Sequence, residues 1–311
     1  MNGMKKEDKL SCISRIWIAI KMLFISLFRK RFSDEFYLKI QYQHKTGYRI
    51  NLENPQTFNE KLQWLKLHYR EDKLTTMVDK YAVKEYIAEK IGEKYLIPTI
   101  GVWENAEDID FSKLPDRFVL KCTHDSGGLV VCNDKSQLNY TKTKKWLNRR
   151  LKRNFYEYKK EWPYKNVKAR IIAEEFMEDD SVINANGLTD YKFFCFNGVV
   201  DCVMACIDRG INDTKFYFFD ENWNLLKLNK RGIEAPAGFT LPKPGCIKEM
   251  FEIASVLSKG IPFARVDLYC IKEQPYFGEI TFYPKSGYDA NLLEETDNYL
   301  GEKIDLSIVK M

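Results

Sequence analysis

The sequence lacks the residue spacings that most often mark a metal site, a redox site or a catalytic triad. Its eight cysteines include no CxxC pair, and Cys202 and Cys206 have no second pair or nearby histidine to complete a zinc site. Only three histidines are present, and none has the sequence partners typical of a triad. We therefore expect reduced cysteines in a cytoplasmic protein.

The sequence also lacks an apolar run long enough to span a membrane at its N-terminal end. The apolar segment at residues 16–28 is 13 residues long and is interrupted by Lys21, whereas a spanning helix needs about 20 residues. No small-residue cleavage site follows, which argues against a secretory signal. Basic flanks and three aromatic residues are typical of a helix at the surface of an anionic membrane. We predict peripheral contact through residues 13–31 at the inner face of the plasma membrane, and the alternative is a terminal helix packed on the protein's own core.

The positive charge is confined to the same N-terminal segment. The chain has a formal net charge of +5, while residues 1–31 hold eight basic and two acidic residues and so carry +6. The rest of the chain therefore sums to −1. A nearly neutral body argues against a nucleic-acid-binding surface, and no nucleic-acid partner is expected.

Hydrophobic periodicity and turn residues predict a mixed α+β protein without internal repeats. A capping box at Thr57 begins a predicted helix that ends at Tyr69. The other predicted helices cover residues 79–91, 141–155 and 247–257. The predicted strands cover residues 97–103, 118–122, 129–132, 170–177 and 191–196, and Asn197-Gly198 predicts a tight hairpin turn. At 311 residues the chain exceeds the usual size of a single core, so two or three subdomains are expected.

The most informative segment, residues 263–284, predicts two strands joined by a short turn. If a three-residue loop closes this hairpin, Asp267 lies opposite Glu279 and Arg265 lies opposite Thr281. Like charges directly opposite one another destabilise a sheet, so a cation between the two carboxylates would explain the pattern. Oxygen ligands suit Mg²⁺, which commonly takes one or two carboxylates together with nucleotide phosphates. A plain ion pair of Arg265 with either acid is the alternative.

A glycine loop follows an apolar strand that contains Lys121. Ser126, Gly127 and Gly128 lie in this loop. Glycines let backbone N–H groups approach an anion closely, and a lysine adds a point charge for a phosphate oxygen. The pattern predicts a phosphate site, although exposed hairpins without function show it too.

Two further apolar strands carry charged residues. Lys192 lies among aromatic residues and needs either an anionic partner or an exposed edge. Glu174 and Glu175 end a strand and are followed by Phe176-Met177. Such a strand end can offer backbone hydrogen bonds to an adenine while a glutamate contacts its amino group or the ribose. Solvated glutamates are the alternative.

One short motif points to a different chemistry. Asp108 and Asp110 form a DxD pair, and such pairs hold Mn²⁺ or Mg²⁺ in many glycosyltransferases. Because the pair follows the polar residues 104–107, we predict that it is a solvated turn.

Longer motifs follow one another in a defined order along the chain. They are Phe58-Asn-Glu-Lys-Leu-Gln-Trp64, Lys121-Cys-Thr-His-Asp-Ser-Gly-Gly128, Glu161-Trp-Pro-Tyr164, Asp190-Tyr-Lys-Phe-Phe-Cys-Phe-Asn-Gly198 and Gly278-Glu-Ile-Thr-Phe-Tyr-Pro284. With Asp79-Lys80 and Arg265-Val-Asp267, they resemble the TupA-like family of the ATP-grasp superfamily over roughly residues 35–290. That superfamily includes D-alanine–D-alanine ligase and glutathione synthetase. The family is found in bacterial surface-polysaccharide gene sets and is often labelled glycosyltransferase.

The resemblance implies an ATP-grasp fold, in which two α+β subdomains clasp ATP behind a helical N-terminal segment. The implied divisions are a basic apolar helix at residues 1–34, a helical region at 35–116, a lid and hinge subdomain at 117–198, and a metal-binding subdomain at 199–311.

The resemblance also implies roles for individual residues, with ATP and Mg²⁺ as cofactors. Lys80 and Lys121 would contact ATP, Ser126, Gly127 and Gly128 would form the phosphate lid, and Glu174, Glu175, Phe176 and Met177 would form the adenine hinge. Asp267, Glu279 and Thr281 would hold the metal, and Arg265 and Lys192 are the predicted catalytic residues. Many relatives in the superfamily have Glu-x-Asn where this chain has Glu279-Ile-Thr281. A hydroxyl is a weaker metal ligand than an amide carbonyl.

The predicted function is an ATP- and Mg²⁺-dependent carboxylate–amine ligase. Its predicted partners are a polysaccharide or lipid-linked sugar acceptor and an amine donor. A glycosyltransferase in capsular or O-antigen biosynthesis is the rival enzyme, and a non-catalytic nucleotide-binding scaffold is the third hypothesis.

Overall fold

The computed structural model describes residues 10–28, 31–178, 188–208, 214–289 and 292–310. Its α-helices are α1 (Cys12–Leu27), α2 (Asp34–Thr46), α3 (Phe58–His68), α4 (Asp72–Val78), α5 (Val83–Lys90), α6 (Tyr140–Leu151), α7 (Phe155–Lys159), α8 (Lys230–Glu234), α9 (Ile247–Ser258) and α10 (Glu294–Lys303). Its strands are β1 (Thr99–Trp103), β2 (Phe118–Cys122), β3 (Leu129–Cys132), β4 (Ile171–Glu175), β5 (Asp190–Phe196), β6 (Val199–Ile207), β7 (Lys215–Phe219), β8 (Leu225–Leu226), β9 (Ala264–Ile271) and β10 (Gln274–Thr281).

The strands form two antiparallel sheets. The first has the order β1-β4-β2-β3, and the second has the order β10-β9-β5-β6-β7-β8. The chain passes from the first sheet to the second between β4 and β5. The predicted subdomain limits stay a prediction. The sheets cross these limits: β1 comes from the predicted helical region at 35–116 but joins the first sheet, and β5 comes from the predicted lid and hinge subdomain at 117–198 but joins the second sheet.

Each sheet has its own hydrophobic core. The smaller core packs α6 and residues 106–114 on the first sheet. The larger core packs α3, α4, α5, α9 and α10 against the strands of the second sheet. Phe58 at the start of α3 meets Phe263 edge-on, with ring centroids 4.8 Å apart, just before β9 begins. This packing joins α3 to the strand that carries Arg265 and Asp267.

The helix α3 begins as the sequence predicts. Thr57 accepts a hydrogen bond from the backbone N–H of Glu60, and the Glu60 side chain completes the capping box. The predicted helix at residues 79–91 is wrong at its start, because residues 79–82 form a turn and α5 begins at Val83. The Asp79 side chain caps this turn by accepting hydrogen bonds from the backbone N–H groups of Tyr81 and Ala82.

The helix α1 packs on α2 through one face only. Met22 and Ile25 are buried against Tyr37 and Ile40 of α2. The opposite face leaves apolar side chains 41–73% exposed, at Ile13, Ile16, Trp17, Ile20, Leu23, Phe24, Leu27 and Phe28. None of the helices within the described ranges is long and apolar enough to cross a bilayer.

The β9–β10 hairpin has the predicted register for its charged residues, but a different turn produces it. The loop has two residues, Lys272 and Glu273, both with positive φ, and not the three predicted. A bulge at Gly278 adds the missing residue to β10, so Asp267 still pairs with Glu279. A Cβ at Gly278 would lie 2.9 Å from the carbonyl oxygen of Asp267, which explains the glycine in the bulge.

Candidate active site

Charged side chains form a row across β5, β9 and β10. Lys192 lies opposite Asp267 in the β5–β9 ladder and forms an ion pair with it. The Lys192 ammonium also lies 3.1 Å from the carboxylate of Asp190. Lys192 is therefore not at an exposed edge, because its anionic partners lie on its own strand and on the next one.

The guanidinium of Arg265 lies between the two acids of the hairpin. It donates two hydrogen bonds of 2.7 Å to the two carboxylate oxygens of Asp267. It also lies 3.5 Å from Glu279 Oε1 and 3.3 Å from Thr281 Oγ1. Arg265 therefore supplies part of the positive charge that the facing carboxylates of Asp267 and Glu279 require. This contact is the ion pair that the sequence offered as the alternative to a metal ion.

These contacts fix the charge of each group. Burial raises the pKa of Asp267, but Arg265 and Lys192 outweigh burial and hold that pKa below its usual value. Burial likewise lowers the pKa of Lys192, but the carboxylates of Asp267, Asp190 and Glu279 together outweigh it, so the pKa of Lys192 is raised. Asp267 is therefore a carboxylate and Lys192 an ammonium at neutral pH.

The cluster retains an excess of negative charge that fits a divalent cation. Asp190, Asp267 and Glu279 provide three negative charges, and Lys192 and Arg265 provide two positive ones. Asp267 is buried, whereas the Glu279 side chain is 42% exposed and, among the described residues, makes only long polar contacts of 3.4–3.5 Å. Glu279 is thus the accessible oxygen donor, with Asp267 behind it and the weaker hydroxyl donor Thr281 beside it. These oxygen donors suit Mg²⁺.

A second charged cluster lies on the first sheet, around Glu174. The Glu174 carboxylate forms ion pairs with Lys84, at 2.5 Å, and with Lys121. Burial raises the pKa of Glu174, but the two lysines outweigh burial and lower it below its usual value. Glu174 is therefore ionised and is not a solvated surface residue. Lys84 was not predicted from the sequence; it lies in the first turn of α5, four residues after Lys80.

The glycine loop between β2 and β3 is held by two basic side chains. Lys80 Nζ donates a 2.5 Å hydrogen bond to the carbonyl oxygen of Asp125. Arg150 of α6 donates to Asp125 Oδ2 at 2.7 Å and to the carbonyl oxygen of Ser126 at 2.9 Å. Ser126 and Gly127 are exposed, and Gly127 has a φ of +83°. The exposed tip of the loop is available to a ligand, while its base is anchored.

The predicted adenine hinge lies where β4 ends. Glu174 is buried and Glu175 is exposed, while Phe176 and Met177 are half-buried beyond the strand. The guanidinium of Arg117 stacks 4.0 Å from the centroid of the Phe176 ring. The structure brings these residues to the end of the first sheet, directly before the passage to the second, and their role toward an adenine stays a prediction.

One narrow crevice lies between the turn before α5 and the β9–β10 hairpin. Lys80, from the turn before α5, lines it together with Tyr164 and with Glu279 of β10. Burial and the nearby charges of Glu161 and Glu279 raise the pKa of Tyr164 well above its usual value, so the phenol stays neutral. A predicted phosphate-binding lysine and a predicted metal ligand therefore line the same crevice.

A buried polar network supports the segment that follows β10, and it was not found from the sequence. Lys66 of α3, only 1% exposed, donates hydrogen bonds to the carbonyl oxygen and the hydroxyl of Ser286 at 2.8 and 3.0 Å. The Ser286 hydroxyl donates to Glu161 at 2.7 Å. Burial lowers the pKa of Lys66 to about 7, although Glu161 opposes this shift. Ser286 has a φ of +59°, so the network holds a backbone conformation that side chains disfavour.

The DxD pair lies in the predicted solvated turn. Asp108 and Asp110 are both exposed. The Asp110 carboxylate accepts hydrogen bonds from the backbone and the hydroxyl of Ser112, and so caps the short helix Phe111–Lys113. This local role accounts for Asp110 without a metal ion.

Comparisons with known proteins identify the family and the fold of this chain. Residues 60–305 match the family described as TupA-like ATPgrasp. The chain belongs to the TupA-like ATP-grasp family. It therefore has the ATP-grasp fold, which is the fold of ATP-dependent carboxylate–amine ligases that use ATP with a divalent metal ion. A search of curated protein sequences found no match.

Solved structures of ATP-grasp enzymes also resemble the chain. D-Alanine–D-alanine ligase from Helicobacter pylori is 13% identical, with a TM-score of 0.42 over 80% of this chain and 67% of that one. The corresponding ligase from Bacillus anthracis, complexed with ATP, is 15% identical, with a TM-score of 0.41 over 76% and 67% of the two chains. D-Cycloserine synthetase is 15% identical, with a TM-score of 0.38 over 74% and 71%. The family match, and not these distant likenesses, establishes the fold.

Proposed function

We propose that this TupA-like ATP-grasp protein is a ligase that joins a carboxylate to an amine with ATP and Mg²⁺. The observation that carries this proposal is that Lys80 and Glu279 line one crevice, whose volume of about 10 Å³ is room for about one water molecule. A lysine and a carboxylate beside the same crevice suit a nucleotide phosphate and its metal ion, respectively, once the crevice widens to admit them.

The side chains around the crevice have distinct proposed roles. Lys80 and Lys121 bind ATP, and the loop at residues 126–128, exposed at Ser126 and Gly127 and buried at Gly128, lies over the phosphates. Residues 174–177 bind the adenine. Glu279 and Asp267 hold Mg²⁺, which when bound offsets the charge of the transferring phosphoryl group. Lys192 and Arg265 keep Asp267 ionised and in place, because they engage both of its oxygens.

The proposed reaction has two steps. A substrate carboxylate oxygen attacks the γ-phosphorus of ATP, and ADP leaves, which gives an acyl phosphate. The nitrogen of an amine then attacks the acyl carbon; phosphate leaves, the nitrogen loses a proton, and an amide forms. Arg265, whose guanidinium lies between Asp267 and Glu279, steadies the negative charge of the acyl phosphate and of the tetrahedral intermediate.

We propose a bacterial surface polysaccharide, or its lipid-linked precursor, as the acceptor. Its carboxylate would be that of a uronic acid, and the amine would come from an amino acid or an amino sugar. The proposal rests on the family to which the chain belongs. The rival, a glycosyltransferase, has less support in the structure, because Asp110 already caps its own short helix.

We further propose that the protein works in the cytoplasm against the inner face of the plasma membrane. The exposed face of α1, with Trp17 67% and Phe24 57% exposed, supports this location. Apolar side chains on one helical face, with basic residues around them, are typical of helices that lie in the interface of an anionic bilayer. The basic residues Lys5, Lys6, Lys9, Arg29 and Lys30 belong to the same segment but lie outside the described residues.

The reaction is tested by following ATP, acceptor and amine together. The full chain is incubated with ATP, Mg²⁺, uronic-acid saccharides and a panel of amines. The release of ADP and phosphate is measured, and mass spectrometry determines the mass of the saccharide product. A ligase releases one ADP and one phosphate for each amide formed. Turnover of a UDP-sugar without ATP would establish the glycosyltransferase instead.

A further inference from the structure

A second group of metal-ligating side chains lies at the other end of the β9–β10 hairpin. Cys246 directly precedes α9, Cys270 lies near the end of β9, and Glu273 lies in the hairpin turn. One ligand atom from each residue lies within 4.8 Å of the other two. The cysteines are 24 residues apart, which is why no short sequence motif reveals them.

The contacts within this group are close and specific. The Sγ atoms of Cys246 and Cys270 are 2.9 Å apart. Glu273 Oε2 accepts a 3.0 Å hydrogen bond from the backbone N–H of Cys246, which turns the carboxylate toward the sulfurs. The Met250 thioether, 3.6 Å from Cys246 Sγ, closes the buried side. Two sulfurs and a carboxylate therefore converge on one point.

The surroundings favour a cation. The group opens onto a surface concavity of about 680 Å³ that Glu249 and Glu252 also line, with Lys248 as its basic residue.

We propose that Cys246, Cys270 and Glu273 form a binding site for a thiophilic divalent cation of the zinc class. Two cysteine sulfurs and one carboxylate oxygen are three of the ligands that Zn²⁺ takes in tetrahedral sites, and the open side leaves a fourth position to water. Zn–S bonds of about 2.3 Å place two sulfurs about 3.8 Å apart in a tetrahedron, so the side chains would separate by about 1 Å. On binding, two thiol protons leave to solvent and no redox partner is needed.

The site would connect three elements at the second sheet. An ion held here ties the start of α9 to the end of β9 and to the hairpin turn. Cys270 lies three residues after Asp267 on the same strand, so the ion would brace the strand that carries the active-site carboxylate. The site is separate from the proposed ligase reaction and stands if that reaction is wrong.

The test is titration of the full, reduced and metal-stripped protein with Zn²⁺, and with Cd²⁺ as a probe whose bonds to thiolates absorb in the ultraviolet. We expect one tightly bound ion per chain and a higher melting temperature on binding. Cys246→Ser and Cys270→Ser should each weaken binding by more than about 100-fold, since even loss of a residue behind the ligands costs 10- to 100-fold. Glu273→Gln, which disturbs the fold least, should weaken it by about tenfold or more.

Cys132→Ser is the matched control, because Cys132 is a buried thiol of the first sheet. It should leave the stoichiometry and the affinity unchanged. The proposal is wrong if the wild-type chain shows no cadmium–thiolate absorption, or if all the cysteine variants bind alike. It is also wrong if mass spectrometry of the freshly purified chain shows a Cys246–Cys270 disulfide, since that bond leaves no thiolate ligands.

Discussion

Asp267 and Glu279 face each other across β9 and β10 because the bulge at Gly278 shifts the pairing by one residue. Without the bulge, the two-residue turn would pair Asp267 with residue 278. A one-residue shift moves side chains to the opposite face of a strand. The active-site geometry therefore depends on a residue that has no side chain.

Replacing this glycine should disturb both the fold and the site. In Gly278→Ala, the new Cβ would lie 2.9 Å from the carbonyl oxygen of Asp267 and 3.1 Å from the ring of Tyr269. We expect a loss of about 1–3 kcal/mol in the free energy of unfolding, measured with urea, because inserted atoms strain a packed structure. Val199→Ala, at an exposed position, should change the stability by less than about 0.5 kcal/mol. Equal stabilities of the two variants would show that the bulge tolerates a side chain.

Lys84 should matter for nucleotide binding although it was not predicted. Lys84→Met leaves Glu174 with Lys121 as its ion-pair partner, so Lys121 is less available to a phosphate. We expect the affinity for ATP to fall by about tenfold or more, which corresponds to about 1.4 kcal/mol, in equilibrium binding measurements. Lys90→Met, an exposed position of the same helix, is the control. If both variants bind ATP like the wild type, Lys84 has no part in the site.

Asp297 gives the stability of the protein a definite pH dependence. The Asp297 carboxylate accepts hydrogen bonds from the backbone and the side chain of Asn59, but burial dominates and raises its pKa from 3.8 to about 6. Because the folded pKa is the higher one, the protonated carboxyl stabilises the fold at low pH, and this contribution is lost as the pH rises from about 4 to 6.

The variant Asp297→Asn isolates that contribution. Its free energy of unfolding, minus that of the wild type, should rise between pH 4 and pH 7 by up to about 3 kcal/mol, since one pKa unit corresponds to 1.36 kcal/mol. Denaturant melts at several pH values measure this difference. A difference that is flat, or that falls with pH, would contradict the raised pKa.

The exposed face of α1 should control binding to anionic lipid. Trp17→Glu combined with Phe24→Glu places two negative charges on that face, and both side chains are exposed, so the fold should persist. We expect the fraction of protein that sediments with anionic vesicles to fall by more than about tenfold. The variant no longer buries these two aromatic side chains in the bilayer, and its new carboxylates are repelled by the anionic lipid. Substitution is preferable to deletion of residues 1–31, since Ile25 packs on α2.

Two exposed apolar residues elsewhere provide the control for this experiment. Val199→Glu combined with Ile233→Glu adds the same charge at positions that are 69% and 51% exposed. This variant should sediment with anionic vesicles nearly as well as the wild type. If the wild type does not sediment with them, α1 is not a membrane-binding helix.

The sequence predicts local structure well where turn and pattern signals agree. The strands β2 and β3 have the predicted limits, and the capping box at Thr57 and the turn at Asn197-Gly198 occur as expected. The predicted pairing of Asp267 with Glu279 is correct, but the predicted three-residue turn is wrong. The turn is one residue shorter, and the bulge at Gly278 restores the pairing. Local patterns do not distinguish these two solutions.

Relationships between distant parts of the chain were not predictable in this way. Lys66, Glu161 and Ser286 meet in one buried network although about 100 or more residues separate each from the next. The close approach of α10 to the start of α3, and the pairing of Cys246 with Cys270, were missed for the same reason. Each depends on how separate elements pack, and no spacing within one element records it.

In the proposed site, the hairpin carboxylates Asp267 and Glu279 bind a metal ion together with a nucleotide. The most direct test of this site is equilibrium binding of ADP with and without Mg²⁺, by calorimetry, to the wild type and to Glu279→Gln, with Glu221→Gln as an exposed control. We expect Mg²⁺ to strengthen ADP binding by the wild type and by the control at least tenfold, about 1.4 kcal/mol, and to have little effect on Glu279→Gln. An Mg²⁺ effect that is absent from the wild type, or equal in all three proteins, would contradict the account.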